Sequence, residues 1–179
     1  TGLNDSQPND EPEKLLHPND VAGGWISLFD GRTLFGWRAN DDRKQGGVNW
    51  RVEEGVITAD EGEQPGLLLT TVRFTDFELL CQYKLEEGGN SGIFLRTIAD
   101  PKDPAVDCYE LNMCDTHPGF PTGSIVGRQQ VEMETPGEGQ WRSFRVRVEG
   151  NQIVPKLAGH IVMDFVDESD NRRAIGFIG

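Results

Sequence analysis

Cysteine is scarce: three residues in a chain of 179 cannot build a disulfide scaffold, and an odd count leaves at least one thiol without an intramolecular partner. Cys108 and Cys114, read as lying on one strand, would stand about 20 Å apart at 3.3 Å per residue, and Cys81 faces another way, so all three are expected to be free thiols. Long apolar runs are missing too. None approaches the roughly 20 residues that span a bilayer, so no membrane insertion is expected. The chain opens on polar TGLNDSQPND instead of a basic and apolar leader. Basic residues are outnumbered, 17 against 30 acidic, and the formal charge of -13 repels phosphate backbones, which argues against nucleic acid as a partner. No window repeats apolar residues at helical spacing, and no internal repeat of fixed period is present. Neither a glycine-rich phosphate loop nor a Gly-x-Ser-x-Gly elbow occurs, which leaves nucleotide and serine-hydrolase chemistry unsupported.

Turn formers and short apolar clusters fill the space that these absences leave. Twenty-two glycines and ten prolines punctuate segments such as WISLF, GLLLTT, DFELLCQYKLE, SGIFLRT, CYELNMC, WRSFRVRVEG and HIVMDFVD. Such spacing predicts an all-β chain folded as a two-sheet antiparallel jelly-roll sandwich. Residues 1–22, rich in Asn, Asp, Glu and Pro, read as a flexible tail, and 23–179 as one β-sandwich domain. Two hairpins are expected. One turns at EEGGN, Glu86 to Asn90, and pairs a strand from Phe77 to Leu85 with one from Ser91 to Ile98; the other turns at Gly150-Asn151.

Side-chain parity along these strands points to a polar sheet face. Alternation sends Phe77, Leu79, Cys81, Tyr83 and Leu85 inward, and Glu78, Leu80, Gln82, Lys84 and Glu86 outward. On the next strand Ile93 and Leu95 are core residues, so Asn90, Gly92, Phe94 and Arg96 face out. In CYELNMCD the apolar set is Tyr109, Leu111 and Met113, which turns Glu110 and Asn112 toward the same open face. In WRSFRVRV, Phe144, Val146 and Val148 point inward and Ser143, Arg145 and Arg147 outward. Arginine, carboxylate, amide and an aromatic ring are the groups that sugar recognition uses, for bidentate hydrogen bonds and for stacking. The same pattern also suits a solvated face laced with ion pairs such as Arg96 with Glu110.

The order LFDGRTLFGW, NWRVEEGVI, GLLLTT, DFELLCQYKLEEGGNSGIFLR, YELNMCD, TGSIV and AIGFIG resembles the 3-keto-disaccharide hydrolase family, formerly counted as a domain of unknown function, from Gly24 to the end of the chain. The resemblance implies a concanavalin A-like lectin/glucanase fold and cleavage of glycosides already oxidised at C3, by elimination and hydration on the concave sheet face. It implies Glu110 as the base or a metal ligand, Arg96 as an oxygen clamp, and one divalent metal ion as cofactor. Asn90, Phe94, Asn112, Glu78 and Lys84 are the expected substrate-binding residues, with Glu78 the nearest second acid by parity. Asp115 and His117, in the loop CDTHPGFPTG, are the expected companions of Glu110 at the metal; an Asp-x-His loop is also a common turn. The partner is then a carbohydrate or oxidised glycoside. The alternative on the same fold is a non-catalytic carbohydrate-binding module, since fold does not decide activity. The four tryptophans read as core residues for the most part. The sequence departs from the family at Ala158-Gly159, where Asn-Gly is common, and stops at AIGFIG, where the family continues into a further strand. The expected location is secreted, periplasmic or cell-envelope.

Overall fold

The structure, a computed structural model, describes residues 16–40, 47–60, 62, 65–132 and 137–179. Most of the expected tail, residues 1–15, lies outside the described residues; its end forms a helical turn, α1 (Pro18–Ala22), whose Asn19 N–H donates to His17 Nδ1 at 3.2 Å. Apart from α1 and one further helical turn, the regular structure of the described residues is antiparallel β-sheet, divided between two units, residues 1–72 and 73–179.

In the first unit β1 (Trp37–Ala39) pairs with β4 (Leu68–Thr70), and β2 (Trp50–Glu53) with β3 (Val56–Ala59). The β2–β3 turn is Glu54-Gly55, both at positive φ, 50° and 81°, the handedness that matches strand twist. Trp37 donates its indole N–H to the Leu28 carbonyl at 2.6 Å. All four tryptophans are half-buried.

The second unit carries the expected chemistry. Its larger sheet runs β10-β9-β8-β5 with β11 also on β9; the strands are β5 (Phe77–Tyr83), β8 (Arg142–Glu149), β9 (Gln152–Leu157), β10 (His160–Ile161) and β11 (Phe165–Val166). The second sheet is built on β6 (Ser91–Leu95) and β7 (Tyr109–Met113), with the helical turn α2 (Pro104–Asp107) between them in sequence. Single bridges widen that pair: Leu111 with Ile125 outside β7, and Thr97 with Phe177 beyond the end of β6.

The expected pairing of β5 with β6 is not formed. β5 pairs instead with β8 over its whole length, from Phe77 opposite Val148 to Tyr83 opposite Arg142. The two glycines close a turn inside a longer link, with Gly89 N–H donating to Glu86 O at 2.9 Å, and the link carries the chain from one sheet to the other. The Gly150-Asn151 hairpin does form, between Glu149 and Gln152.

The inward parity of β8 holds. Phe144, Val146 and Val148 are buried, as are Leu79 and Tyr83 of β5 and Ile153 of β9, and they meet a second buried set, Ile93, Leu95, Tyr109, Leu111 and Met113, from β6 and β7. Each such side chain contributes about 1.5–3 kcal/mol through burial. Contacts between the two sheets include the Tyr109 and Phe165 rings, 6.2 Å apart, and the stacked Tyr83–Phe144 pair lies within the interior. Cys81, Cys108 and Cys114 are all free, as expected.

Candidate active site

Glu110 is the second residue of β7, and alternation turns it away from the buried Tyr109 and Leu111. Its partner across the ladder is Phe94. On the other side of β7 the Val126 N–H donates to the Glu110 carbonyl at 3.0 Å, and the Leu111–Ile125 bridge sets Ser124 and Val126 alongside this face. The carboxyl folds back over β6, so closely that a Cβ added to Gly92 would stand 2.9 Å from both Cγ and Oε1 of Glu110. Among the described residues no group hydrogen-bonds to this carboxyl or pairs with it. Burial without a compensating cation pushes its pKa up to about 7. The result is a half-buried carboxyl that can both accept and return a proton near neutral pH.

Arg96 is not beside it. The residue is 1% exposed and takes φ of 50°, the left-handed region. Along the neighbouring C-terminal segment, Phe94 pairs with Gly179 while Thr97 pairs with Phe177, so β6 spends one residue more than its neighbour over this interval. That extra residue is a β-bulge, and it breaks the alternation that had placed Arg96 on the face of Glu110. The guanidinium donates from Nε to Thr75 O (2.7 Å), from Nη1 to Gly150 O (2.6 Å) and Arg173 O (2.8 Å), and from Nη2 to Asp76 Oδ1 (2.8 Å). Four of its five N–H donors are spent on the protein itself, which ties Arg96 into the fold away from Glu110, where the sequence had placed an oxygen clamp. Gly176 lies against its backbone, where a Cβ would come within 2.1 Å of the Arg96 carbonyl carbon.

The expected metal set does not assemble either. Asp115 receives Arg142 Nη1 at 2.7 Å and 2.9 Å on its two oxygens, the Gly137 N–H at 2.6 Å, and the Thr122 hydroxyl. Burial opposes its ionisation, but the Gly137 N–H, the Thr122 hydroxyl and the Arg142 guanidinium together hold its pKa below the ordinary range. His117 Nδ1 accepts the N–H groups of Gly119 (3.1 Å) and Phe120 (2.8 Å), which makes it the turn residue that the sequence also allowed. Among the described residues no three His, Cys, Asp or Glu side chains gather as a metal site. With Asp115 saturated by donors and His117 spent on its turn, Glu110 lacks the expected companions.

Asn112, expected on the open face, is 2% exposed and donates its amide to the Phe120 carbonyl, because residues after Cys114 fold back over that half of β7. Glu78 lies on β5 in the other sheet and pairs with Arg145 at 2.6 Å, so it is not a second acid on the face of Glu110. Lys84 follows β5 and is exposed; Asn90, also exposed, immediately precedes β6. Of the expected substrate contacts, Phe94 alone is brought directly opposite Glu110. Sequence reasoning missed Gly92, whose bare Cα is what the carboxyl covers, and the Thr122–Val126 segment on the other flank. The signal for Gly92 was present: a glycine inside a strand marks close approach of another group.

Residues 24–179 match the family described as the 3-keto-alpha-glucoside-1,2-lyase-like domain. A curated 3-keto-disaccharide hydrolase of Bacteroides thetaiotaomicron is 28% identical over 174 residues, a match that covers 80% of this chain and 59% of that protein. The chain thus spans less than two thirds of that relative's length. Among solved structures, a Parabacteroides distasonis protein provisionally described as a glycosyl hydrolase superposes with a TM-score of 0.73 at 20% identity, covering 92% of this chain and 90% of its own. A carbohydrate-binding module of Bacillus subtilis superposes with a TM-score of 0.53 at 17% identity, covering 80% and 85%. These likenesses show a shared β-sandwich fold.

Proposed function

The chain belongs to the family of 3-keto-α-glucoside-1,2-lyase-like domains, and from that premise we propose that it cleaves glycosides oxidised at C3, with Glu110 as the general base. A ketone at C3 acidifies the hydrogen on C2. The Glu110 carboxylate takes that proton, the electron pair of the C–H bond becomes the C1–C2 double bond, and the C1–O bond breaks to release the aglycone alkoxide. The alkoxide takes up a proton from the Glu110 carboxylic acid or from water. Water then adds across the double bond, its oxygen to C1 and a proton to C2, which completes a net hydrolysis. One residue whose pKa lies near neutrality suits both the removal and the return of the proton. Phe94, directly across the ladder, offers an apolar ring to a sugar face.

The observation that carries this reading is the half-buried Glu110 carboxyl, with no partner among the described residues and a pKa raised to about 7. The test is release of reducing sugar from a 3-keto disaccharide by the wild type and by Glu110→Gln, which keeps the shape and removes the base. Activity should fall by about a hundredfold or more. Full activity in the variant would remove Glu110 from the mechanism. If the wild type binds sugar without turning it over, the carbohydrate-binding-module reading, supported by the likeness to the Bacillus subtilis module, replaces this one. Repeating the assay with a chelator reports any requirement for a divalent ion.

A further inference from the structure

We propose that Gly92 is a positioning residue for Glu110: its bare Cα is the seat on which the carboxyl rests, and the missing side chain fixes where the proton-transferring oxygens lie. The proposal rests on the reading of Glu110 as the base. Glycine inside a strand costs roughly 0.5–1 kcal/mol relative to alanine, so its presence in the middle of the β6–β7 ladder needs a reason. Backbone conformation does not supply one, because Gly92 is not among the residues at positive φ. Space does. The three atoms nearest a Cβ at this position all belong to Glu110: Cγ and Oε1 at 2.9 Å and Cδ at 3.3 Å.

Contacts that short force something to move, and the end of a glutamate side chain moves more easily than a paired strand. In Gly92→Ala the carboxyl would lift off β6 and turn toward water. Among the described residues no charged group on the flanking elements would oppose or guide that movement. β6 carries no titratable residue between Ser91 and Leu95, and Thr122–Val126 on the other flank carries none. On the Glu110 strand itself the nearest titratable group is Tyr109, whose phenol burial pushes up and whose hydroxyl donates to Asp167 at 2.6 Å; Cys108, just before the strand, has its thiol pushed up to about 12 by burial and stays neutral. Arg128, further along the flanking segment, is engaged by Asp167 at 2.9 Å. Hydration is therefore the variable that Gly92→Ala changes, and the carboxyl should titrate lower once it is wetter.

The experiment follows the Glu110 carboxyl by carbon-13 NMR across pH in wild type and Gly92→Ala, alongside melting temperature and the pH dependence of kcat/KM on a 3-keto disaccharide. The expected result is an unchanged or higher melting temperature, a Glu110 titration lower by about one unit or more, an acid limb of kcat/KM displaced in the same direction, and a kcat at least about tenfold lower from the misplaced base. Glu110 titrating as in the wild type, with kcat unchanged, would overturn the proposal. If the titration moves while neither protein turns over substrate, the seat stands and the assignment of Glu110 as base fails. Should Gly92→Ala fold poorly, the Gly92→Ala/Glu110→Ala double variant decides: recovered folding supports the seat, and two equally damaged proteins refute it.

Discussion

A half-buried carboxyl without a partner can weaken the fold that holds it, and Glu110, the proposed base, has that character. Its pKa in the folded protein is raised from 4.5 to about 7, so folding takes up a proton. The stability linked to this group is fully present below the unfolded value and is lost as pH rises through about 7. Glutamine cannot ionise, so Glu110→Gln should melt higher than the wild type at pH 8 and close to it at pH 4, a pair of thermal melts that a merely structural glutamate would not satisfy. Asp115 behaves oppositely, because its pKa is depressed: its contribution is present above the unfolded value and disappears as pH falls through the folded one.

Among the elements, two backbone features decide what the sequence could reveal. The period of two read the interior of β8 correctly and placed Glu110 on the face away from the core, since regular strands keep their alternation. It failed at Arg96 because a bulge adds one residue without a compositional sign; arginine at positive φ is not what a turn signal looks like. It failed at Asn112 for another reason: parity says which way a side chain points, not whether a later loop covers it. Glycine turns gave the Gly150-Asn151 hairpin but not the one at Gly88-Gly89, because β5 and β8 share a register of seven residue pairs that a local turn cannot reveal. Glu110 was therefore legible, and its neighbours largely were not. The β9–β10 turn yields a prediction at this scale. Ala158 and Gly159 take φ of 48° and 84° between Leu157 and His160, a conformation costing an ordinary L-residue roughly 1–2 kcal/mol, from which asparagine is partly exempt. Ala158→Asn should raise stability by about 0.5–1 kcal/mol in denaturant titration, and no gain would mean that the turn is relaxed by its surroundings.

At the scale of the second unit, Arg96 is where the chain gathers itself. The carbonyls it binds belong to residues 21, 54 and 77 positions away in sequence, Thr75, Gly150 and Arg173. Replacing it by methionine would take the donor from those carbonyls and from Asp76 and leave them to water, a loss of about 1.5–3 kcal/mol by the measure of hydrogen bonds to a charged group. The consequence reaches into time as well as stability. Loops of such length close slowly, and a donor that needs all three segments present can bind only after the sheets have met. The guanidinium should thus act as a latch that engages after the folding barrier has been crossed. Stopped-flow measurements on Arg96→Met should find the destabilisation almost wholly in a faster unfolding rate, with the refolding rate nearly that of the wild type. A refolding rate slowed in proportion to the lost stability would instead make Arg96 part of the nucleus. A latch of this kind lengthens the lifetime of the native state, the quantity that governs irreversible thermal inactivation.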